Sequence, residues 1–388
     1  MAATGPLDPL ALAAALIRCK SVTPVDDGAI AVVQAALAPL GFRCHPLTFA
    51  AEGTAPVENL YARLGAKGPN FCFCGHTDVV PAGESGAWSA DPFDPVVRDG
   101  RLYGRGAADM KGAIACFIAA VARVQAARKG ALPGSISLLV TGDEEGVNIN
   151  GTVKVLRWMA ARGETIDACL VGEPTNPAQL GEMIKVGRRG SVYGRLTVYG
   201  TAGHIAYPDL ADNPIPRLLR ILNAIDTHVL DQGYANFQPS NLEIVDLEVG
   251  NTARNVIPPK ASAVFGIRFN PNHSSASLEA WLRRTCDAVG GDYTLEMEVS
   301  GEPFYTEPGP LSDLVAAAIR SVTGLTPEFS TSGGTSDARF VRAYCPVVEF
   351  GLISQSMHKV NENAALADLA KLTDIYSEIL ERWFAALP

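Results

Sequence analysis

Apolar positions run without interruption through three short stretches of the first half of the chain. "NFCFCG", "SISLLVTG" and "DACLVG" offer hydrophobic side chains to both sides, as strands buried on both faces do. Between them, "MKGAIACFIAAVARVQAA" reads as a largely buried helix and "TVKVLRWMAARG" as a second helix. Such alternation predicts an α/β fold with a mostly parallel sheet covered by helices. The pattern changes near residue 188. "SVYGRLTVYG" alternates, and "NPIPRLLRILNAID" places Ile215, Leu218, Leu219, Leu222 and Ile225 on one helical stripe. "NLEIVDLEVG" follows, and then "ASAVFGIRFN", whose Ala263, Phe265, Ile267 and Phe269 share a face. A helix, "SLEAWLRRTCDAVG", and the alternating "YTLEMEVSG" complete a β-α-β-β-α-β order, that of a small α+β ferredoxin-like domain with helices on one face. From about residue 303 the first style returns, with "LSDLVAAAIRSVTG" and "ALADLAKLTDIYSEILERWFAAL" as helices and "CPVVEFG" as a buried strand. The expected organisation is one α/β domain in two parts, residues 1–187 and 303–388, interrupted by the α+β domain at 188–302.

The polar residues cluster where the apolar strands stop. "FCFCGHTDVVP" delivers His76 and Asp78 at a strand tip, and "SISLLVTG" runs into Asp143, Glu144 and Glu145. "DACLVG" ends in Glu173, Asp109 stands before a helix, and the loop after "CPVVEFG" reaches His358. Ligands of open α/β sheets bind beyond the carboxyl ends of strands, so these groups are expected to converge. Each has an ordinary alternative: a hydrogen-bonded histidine for His76, a helix cap for Asp109, surface charge for Glu144 and Glu145. Glu173 could serve a turn, and His358 could be a plain loop histidine. Taken together, that many carboxylates in one cleft repel strongly unless cations neutralise them. Two divalent ions would do so, each with one histidine and one terminal carboxylate, and with one aspartate bridging. An open position would remain for a shared water. A histidine and carboxylate set without thiolates favours zinc, for which cobalt or manganese can substitute. Asp78 could orient the His76 imidazole through its other nitrogen. A spare glutamate could carry a proton from water to a leaving amine, which is metal-assisted amide hydrolysis.

Composition narrows the partners. The chain has 388 residues, 47% hydrophobic and 19% charged, with a formal charge of −9. The acidic balance argues against nucleic acid and against anionic membrane, both of which need basic surface. "MAATGPLDPLALAAALIRCK" has no basic leader and carries Pro6, Asp8 and Pro9; Asp8 as cap and Pro9 as first residue predict a helix start, not a signal peptide. No stretch approaches the ~20 apolar residues of a membrane span. A cytoplasmic location is expected, with eight scattered cysteines as buried free thiols.

"GHTDVVP", "GRGAADMKG", "GDEEG", "VGEPT" and "HKVNE", in that order, resemble the co-catalytic zinc aminoacylase and carboxypeptidase family. "KVGRRGS", "GHIAYP", "NVIP", "GGTSDARF" and "VVEFG" are similar to the desuccinylase branch of that family, which acts on an N-succinyl amino acid in bacterial lysine biosynthesis. The resemblance implies a zinc-peptidase-like catalytic domain holding two zinc ions, one on His76, Asp109 and Glu173, the other on Glu145, Asp109 and His358. It implies Glu144 as general base, Asp78 as the residue holding His76, and a cis peptide after Asp109. It further implies a homodimer through the inserted domain, which acts as a lid, with His204 stabilising an oxyanion in the partner's site. Arg188, Tyr207, Asn255, Arg268, Gly334 and Thr335 match positions that contact substrate, the register between Arg188 and Arg189 being open. The implied reaction is hydrolysis of N-succinyl-L,L-diaminopimelate to succinate and L,L-diaminopimelate. Its rivals are an acetylornithine deacetylase-like enzyme, a related peptidase, and a non-catalytic metal-binding homologue. The sequence departs from the branch at Ser354, where asparagine is usual, and Gln355 beside it could supply the lost amide.

Overall fold

Continuous apolar strands need cover on both faces, and the computed structural model, which describes residues 7–387, provides it. Pro6 and the expected outer limits at residues 1 and 388 lie outside the described residues. The chain divides into two units. The first comprises the chain up to Val186, Thr306–Ser330 and everything from Ser336; the second comprises Gly187–Tyr305 and Thr331–Thr335.

The first unit is built on an eight-stranded sheet. Its order is Arg43–Phe49, Val57–Leu64, Ser135–Thr141, Asn70–His76, Ala168–Val171, Val347–Glu349, Met183–Lys185 and Glu328–Ser330. The central four, from Ser135–Thr141 to Val347–Glu349, are mutually parallel, so their carboxyl ends open on one side. Every residue of Asn70–His76, Ser135–Thr141 and Ala168–Val171 is buried. Phe71 packs its ring 5.4 Å from Trp383, and Phe73 stacks 4.3 Å from Phe117, so this face lies under Lys111–Ala127 and Leu366–Ala385. Cys74 points the other way, to Thr152 at the start of Thr152–Ala160. The antiparallel pair Arg43–Phe49 and Val57–Leu64 was not legible in the hydrophobic pattern. Pro46 interrupts its outer strand, which is tolerated because an edge strand has unpaired backbone on one side. At the start of Pro9–Arg18, the Asp8 carboxylate accepts from the Leu10 amide at 3.0 Å, as the sequence predicted.

In the second unit four strands are ordered Asn241–Glu248, Lys260–Phe269, Gly190–Tyr199 and Tyr293–Gly301, each antiparallel to its neighbour. Numbered along the chain this is 2-3-1-4, the order of a split βαβ domain. Ala263, Phe265, Ile267 and Phe269 are buried with Leu218, Leu222, Leu278 and Leu282 from the two helices. The expected stripe on Pro214–Asp226 needs one correction. Leu219 is 54% exposed and Ile221 is buried, because the contact line follows 218, 221, 222 and 225. All eight cysteines are free, and all but Cys44 are buried. Among the described residues no helix is long and apolar enough to cross a membrane.

Candidate metal centre

The parallel strands of the first unit end together, and their next residues carry the polar groups. His76 is the last residue of Asn70–His76 and is buried. Its Nδ1 donates to the Asp78 carbonyl oxygen at 2.8 Å. That bond fixes the tautomer and turns the Nε2 lone pair inward, 3.2 Å from Asp109 Oδ1 and 3.7 Å from Glu173 Oε1. Asp109 is not the cap of its helix; Met110 occupies that position, after a cis peptide, with no side-chain cap bond. The second Asp109 oxygen lies 3.2 Å from His358 Nε2, which stands 2.7 Å from Glu145 Oε1. Asp109 therefore faces both imidazoles, one oxygen each.

Asp78 acts differently from the sequence expectation. Its carboxylate is 3.6 Å from His76 Nδ1, and the backbone carbonyl makes the hydrogen bond instead. The carboxylate accepts the amide protons of Glu144 at 3.2 Å and Glu145 at 3.0 Å, tying the "GDEEG" loop to the tip of the neighbouring strand. Among the described residues two groups of side chains could hold a metal ion: His76, Asp109 and Glu145, and His76, Glu144 and Glu173, with ligand atoms in each within 4.8 Å of one another. Glu144, expected as the base, thus lies within ligand reach of His76 and Glu173.

The charges describe a site that demands cations. Burial pushes the Glu144 and Glu173 carboxyls well above the usual range, with the crowded acids beside them adding to the push. Burial also raises Asp78, to about 6, against the pull of His76 and two amides. For Asp109 burial acts upward too, but hydrogen bonds from His358 and His76 win and hold it below the ordinary range. Hydrogen bonds to Asp109 and Glu145 raise His358 to about 10. Burial opposes charge on His76, yet Asp109 and Glu173 raise it well above its ordinary value. Protons on these imidazoles stand where divalent ions would put their charge. Glu173 Oε1 is buried without any hydrogen-bond partner, a costly arrangement for a carboxylate that a cation would relieve. Nitrogen and oxygen donors, an orphaned carboxylate oxygen and an inward Nε2 lone pair fit two divalent ions.

Four buried charged side chains near the centre, Arg105, Glu362, Lys111 and Asp337, carry no role in the sequence expectations. Arg105 and Glu362 form an ion pair at 2.7 Å, 2% and 0% exposed. Lys111 donates to the Cys19 carbonyl oxygen at 2.9 Å, and burial lowers its pKa to about 8. A signal existed for each: a charged residue inside an apolar helix start, or inside a motif quoted for a neighbour. Asp337 accepts from Thr152 Oγ1 at 2.6 Å and leaves its other oxygen buried and unpaired.

The second unit carries the remaining candidates. His204 and Tyr207 set their rings 5.8 Å apart, and Asn255 Nδ2 lies 3.5 Å from His204 Nε2. Arg188 Nη1 donates to the Gly334 carbonyl oxygen at 2.9 Å, next to Thr335. Arg268 reaches the Tyr193 hydroxyl at 2.8 Å and Arg189 reaches Asn241 at 2.9 Å, so the two neighbouring arginines point to different partners. In the first unit, Ser354 Oγ donates to the Asn176 carbonyl oxygen at 3.3 Å and Gln355 is exposed. The other histidines pack structurally: His45 beside Trp158, His228 on Trp281, and His273 on Asp231.

The profile of peptidase family M20/M25/M40 matches residues 72–382, from the His76 strand to the last helix. The chain belongs to this family. Within it, the chain is 62% identical over 378 residues to a succinyl-diaminopimelate desuccinylase of Rhodospirillum centenum, covering 97% of this chain and 98% of the relative. An M20 family metallo-carboxypeptidase from Sulfolobus solfataricus has the same fold, with a TM-score of 0.78 at 18% identity, over 97% of this chain and 99% of that one. A dinuclear metal-binding M20 peptidase of Bacillus subtilis superposes with a TM-score of 0.68 at 15% identity, over 97% and 99% of the two chains. The mixed α/β architecture with its largely parallel central sheet is that of the family, as the hydrophobic pattern predicted.

Proposed function

We propose that this M20-family hydrolase cleaves N-succinyl-L,L-diaminopimelate to succinate and L,L-diaminopimelate at a dinuclear zinc centre. The observation that supports the reaction type is the convergence of His76, Asp109, Glu145, Glu173 and His358, with the further carboxylate of Glu144 within ligand reach of His76 and Glu173. The substrate rests on 62% identity to a desuccinylase across nearly the whole chain. His76, Asp109 and Glu173 would hold one ion and His358, Asp109 and Glu145 the other; cobalt can replace zinc at such donors. Bound there, the ions supply Lewis acidity and bring a water's pKa from about 15.7 towards ~7.

The chain's own residues do the rest. Glu144 accepts the proton of the attacking water and hands it to the amine nitrogen as the C–N bond breaks. Burial pushes the Glu144 carboxyl upward, in the direction a general base requires. Asp78 holds His76 through its carbonyl and the backbone amide of Glu144 through its carboxylate. Arg188 and Arg268 grip substrate carboxylates, for which a planar guanidinium is suited, and Tyr207, Asn255, Gly334 and Thr335 complete the contacts. His204 stabilises the oxyanion in the second copy of a homodimer joined through the inserted domain.

The test is succinate release from N-succinyl-L,L-diaminopimelate by zinc-loaded protein, beside N-acetylornithine and a Glu144→Ala control. Release confined to the succinyl compound and reduced about 10²–10⁴-fold in the control is expected. Activity on the acetyl compound alone would move the substrate to a deacetylase reading and leave the metal chemistry standing.

A further inference from the structure

The Arg105–Glu362 pair is buried, hydrogen-bonded at both terminal guanidinium nitrogens and both carboxylate oxygens, and attached to backbone that carries the expected metal-ligating side chains. Glu362 Oε2 takes Arg105 Nη1 at 2.7 Å. Its Oε1 accepts two amide protons, from Ala108 at 2.9 Å and from Asp109 itself at 3.0 Å. Arg105 in turn donates to the carbonyl oxygens of Lys359 at 3.3 Å and Pro81 at 3.2 Å. The amide of Gly104 returns to the Glu362 carbonyl oxygen at 2.9 Å. One ion pair thus ties the loop after His76 and Asp78, the peptide of Asp109, and the residue next to His358.

Two features say that this tie does more than fill space. A buried ion pair of similar volume to apolar residues is on average no more stabilising than they are, so stability alone is a weak reason for it. Its partners are also selective: the oxygens and amides it binds belong to the segments that present His76, Asp109 and His358. His358 needs such support. It lies outside regular secondary structure, its side chain is 44% exposed, and its φ of 60° is uncommon for a non-glycine residue. The Arg105 guanidinium is further held against the Trp88 ring, 5.2 Å from its centroid.

We propose that Arg105 and Glu362 are positioning residues of the metal centre, setting the separation of Asp109 and His358 and thereby the affinity of the ion that those two share with Glu145. The proposal rests on the dinuclear reading above. Outer hydrogen-bond partners of metal ligands typically change affinity by about 10–100-fold when removed.

The experiment is competition for zinc between the full-length protein and a chromophoric chelator, resolving the two binding steps, for wild type, Glu362→Gln, Arg105→Lys and a His358→Ala reference. Leu372→Ala, in a fully buried core position on the last helix, serves as a destabilised control. Glu362→Gln is expected to weaken by about 10–100-fold the same step that His358→Ala removes, and to leave the other step near wild type. Leu372→Ala should leave both steps unchanged although its thermal midpoint falls. Wild-type affinities in folded Glu362→Gln would overturn the proposal, as would a matching loss in Leu372→Ala. If Glu362→Gln does not fold, Arg105→Lys decides by the same criterion, since it keeps the charge and loses the paired geometry. A wild type that binds no second ion would instead overturn the dinuclear reading itself.

Discussion

At the scale of single residues, Asp78 shows how much a short motif leaves unsaid. "GHTD" places an imidazole and a carboxylate two residues apart, and the natural inference is that one orients the other. The structure gives that task to the Asp78 carbonyl and uses the carboxylate to hold the amides of Glu144 and Glu145. The difference could not be read from spacing, because it depends on which neighbouring strand brings its loop alongside. It leads to a prediction. Asp78→Ala leaves two amides without their acceptor at about 1–3 kcal/mol each where buried, while Asp78→Asn keeps an acceptor oxygen. Urea unfolding should therefore show a clear loss for the alanine variant and a smaller one for asparagine. The turnover number of both should fall with two ions still bound. An alanine variant with wild-type stability and turnover would refute the clamp. Of the five expected metal-ligating residues, His76, Glu145 and Glu173 stand at or just after the ends of buried strands, while Asp109 precedes a helix and His358 lies in a loop. Arg105 and Glu362 each stand in a motif beside an expected ligand, "GRGAADMKG" and "HKVNE", but their pairing across 257 residues cannot be read from either motif alone.

At the scale of elements, what the pattern could see was long or fully buried. "NFCFCG", "SISLLVTG" and "DACLVG" stand at the centre of the sheet, where both faces are covered and every strand position is buried. The edge strands Arg43–Phe49 and Glu328–Ser330, and Met183–Lys185 next to the latter, have no such pattern, being short or half-exposed and held in place by their neighbours more than by composition. Polar contacts reinforce the hairpin edge. Glu164, beyond the helix Thr152–Ala160, receives Arg63 at 2.5 Å, the Tyr61 hydroxyl at 3.1 Å and Arg43 at 3.3 Å. Partial burial acts to raise its pKa, but Arg63 and Tyr61 outweigh it and the net shift is downward. A folded-state pKa below the unfolded value gives stability that is complete above the unfolded value, about 4.3, and fades as pH falls through the folded one. Glu164→Gln should thus cost about 1–2 kcal/mol near pH 7 and less near pH 3, as the wild-type carboxyl loses its charge on the way down through its lowered pKa. Urea titrations of both proteins at the two pH values measure it. An equal gap at both would mean that shape, not charge, holds this corner.

At the scale of the whole molecule, the acidic balance poses a question of its own, since the proposed substrate is also anionic. A charge of −9 repels such a ligand at long range, so recognition must rest on local guanidinium groups, which fits the arginines at Arg188 and Arg268. The same reasoning applies to His204. It sits with Tyr207 and Asn255 on an exposed part of the second unit, with Ile205, Tyr207 and Leu210 between 55% and 78% exposed. The role proposed for His204, amid exposed apolar side chains, requires a second copy that covers them. A mixture of two inactive chains decides whether it works across the dimer. His204→Ala keeps Glu144, and Glu144→Ala keeps His204. In a symmetric dimer with His204 acting in trans, each mixed dimer regains one complete site. Random reassortment should then restore about a quarter of wild-type activity. If His204 serves its own chain, no mixed dimer contains a complete site and activity stays at the level of the separate variants. Exchange must be shown directly, for instance by mass spectrometry of differently tagged chains. With mixed dimers present and no recovery, the trans assignment of His204 fails while the metal centre, which lies wholly in the first unit, is untouched.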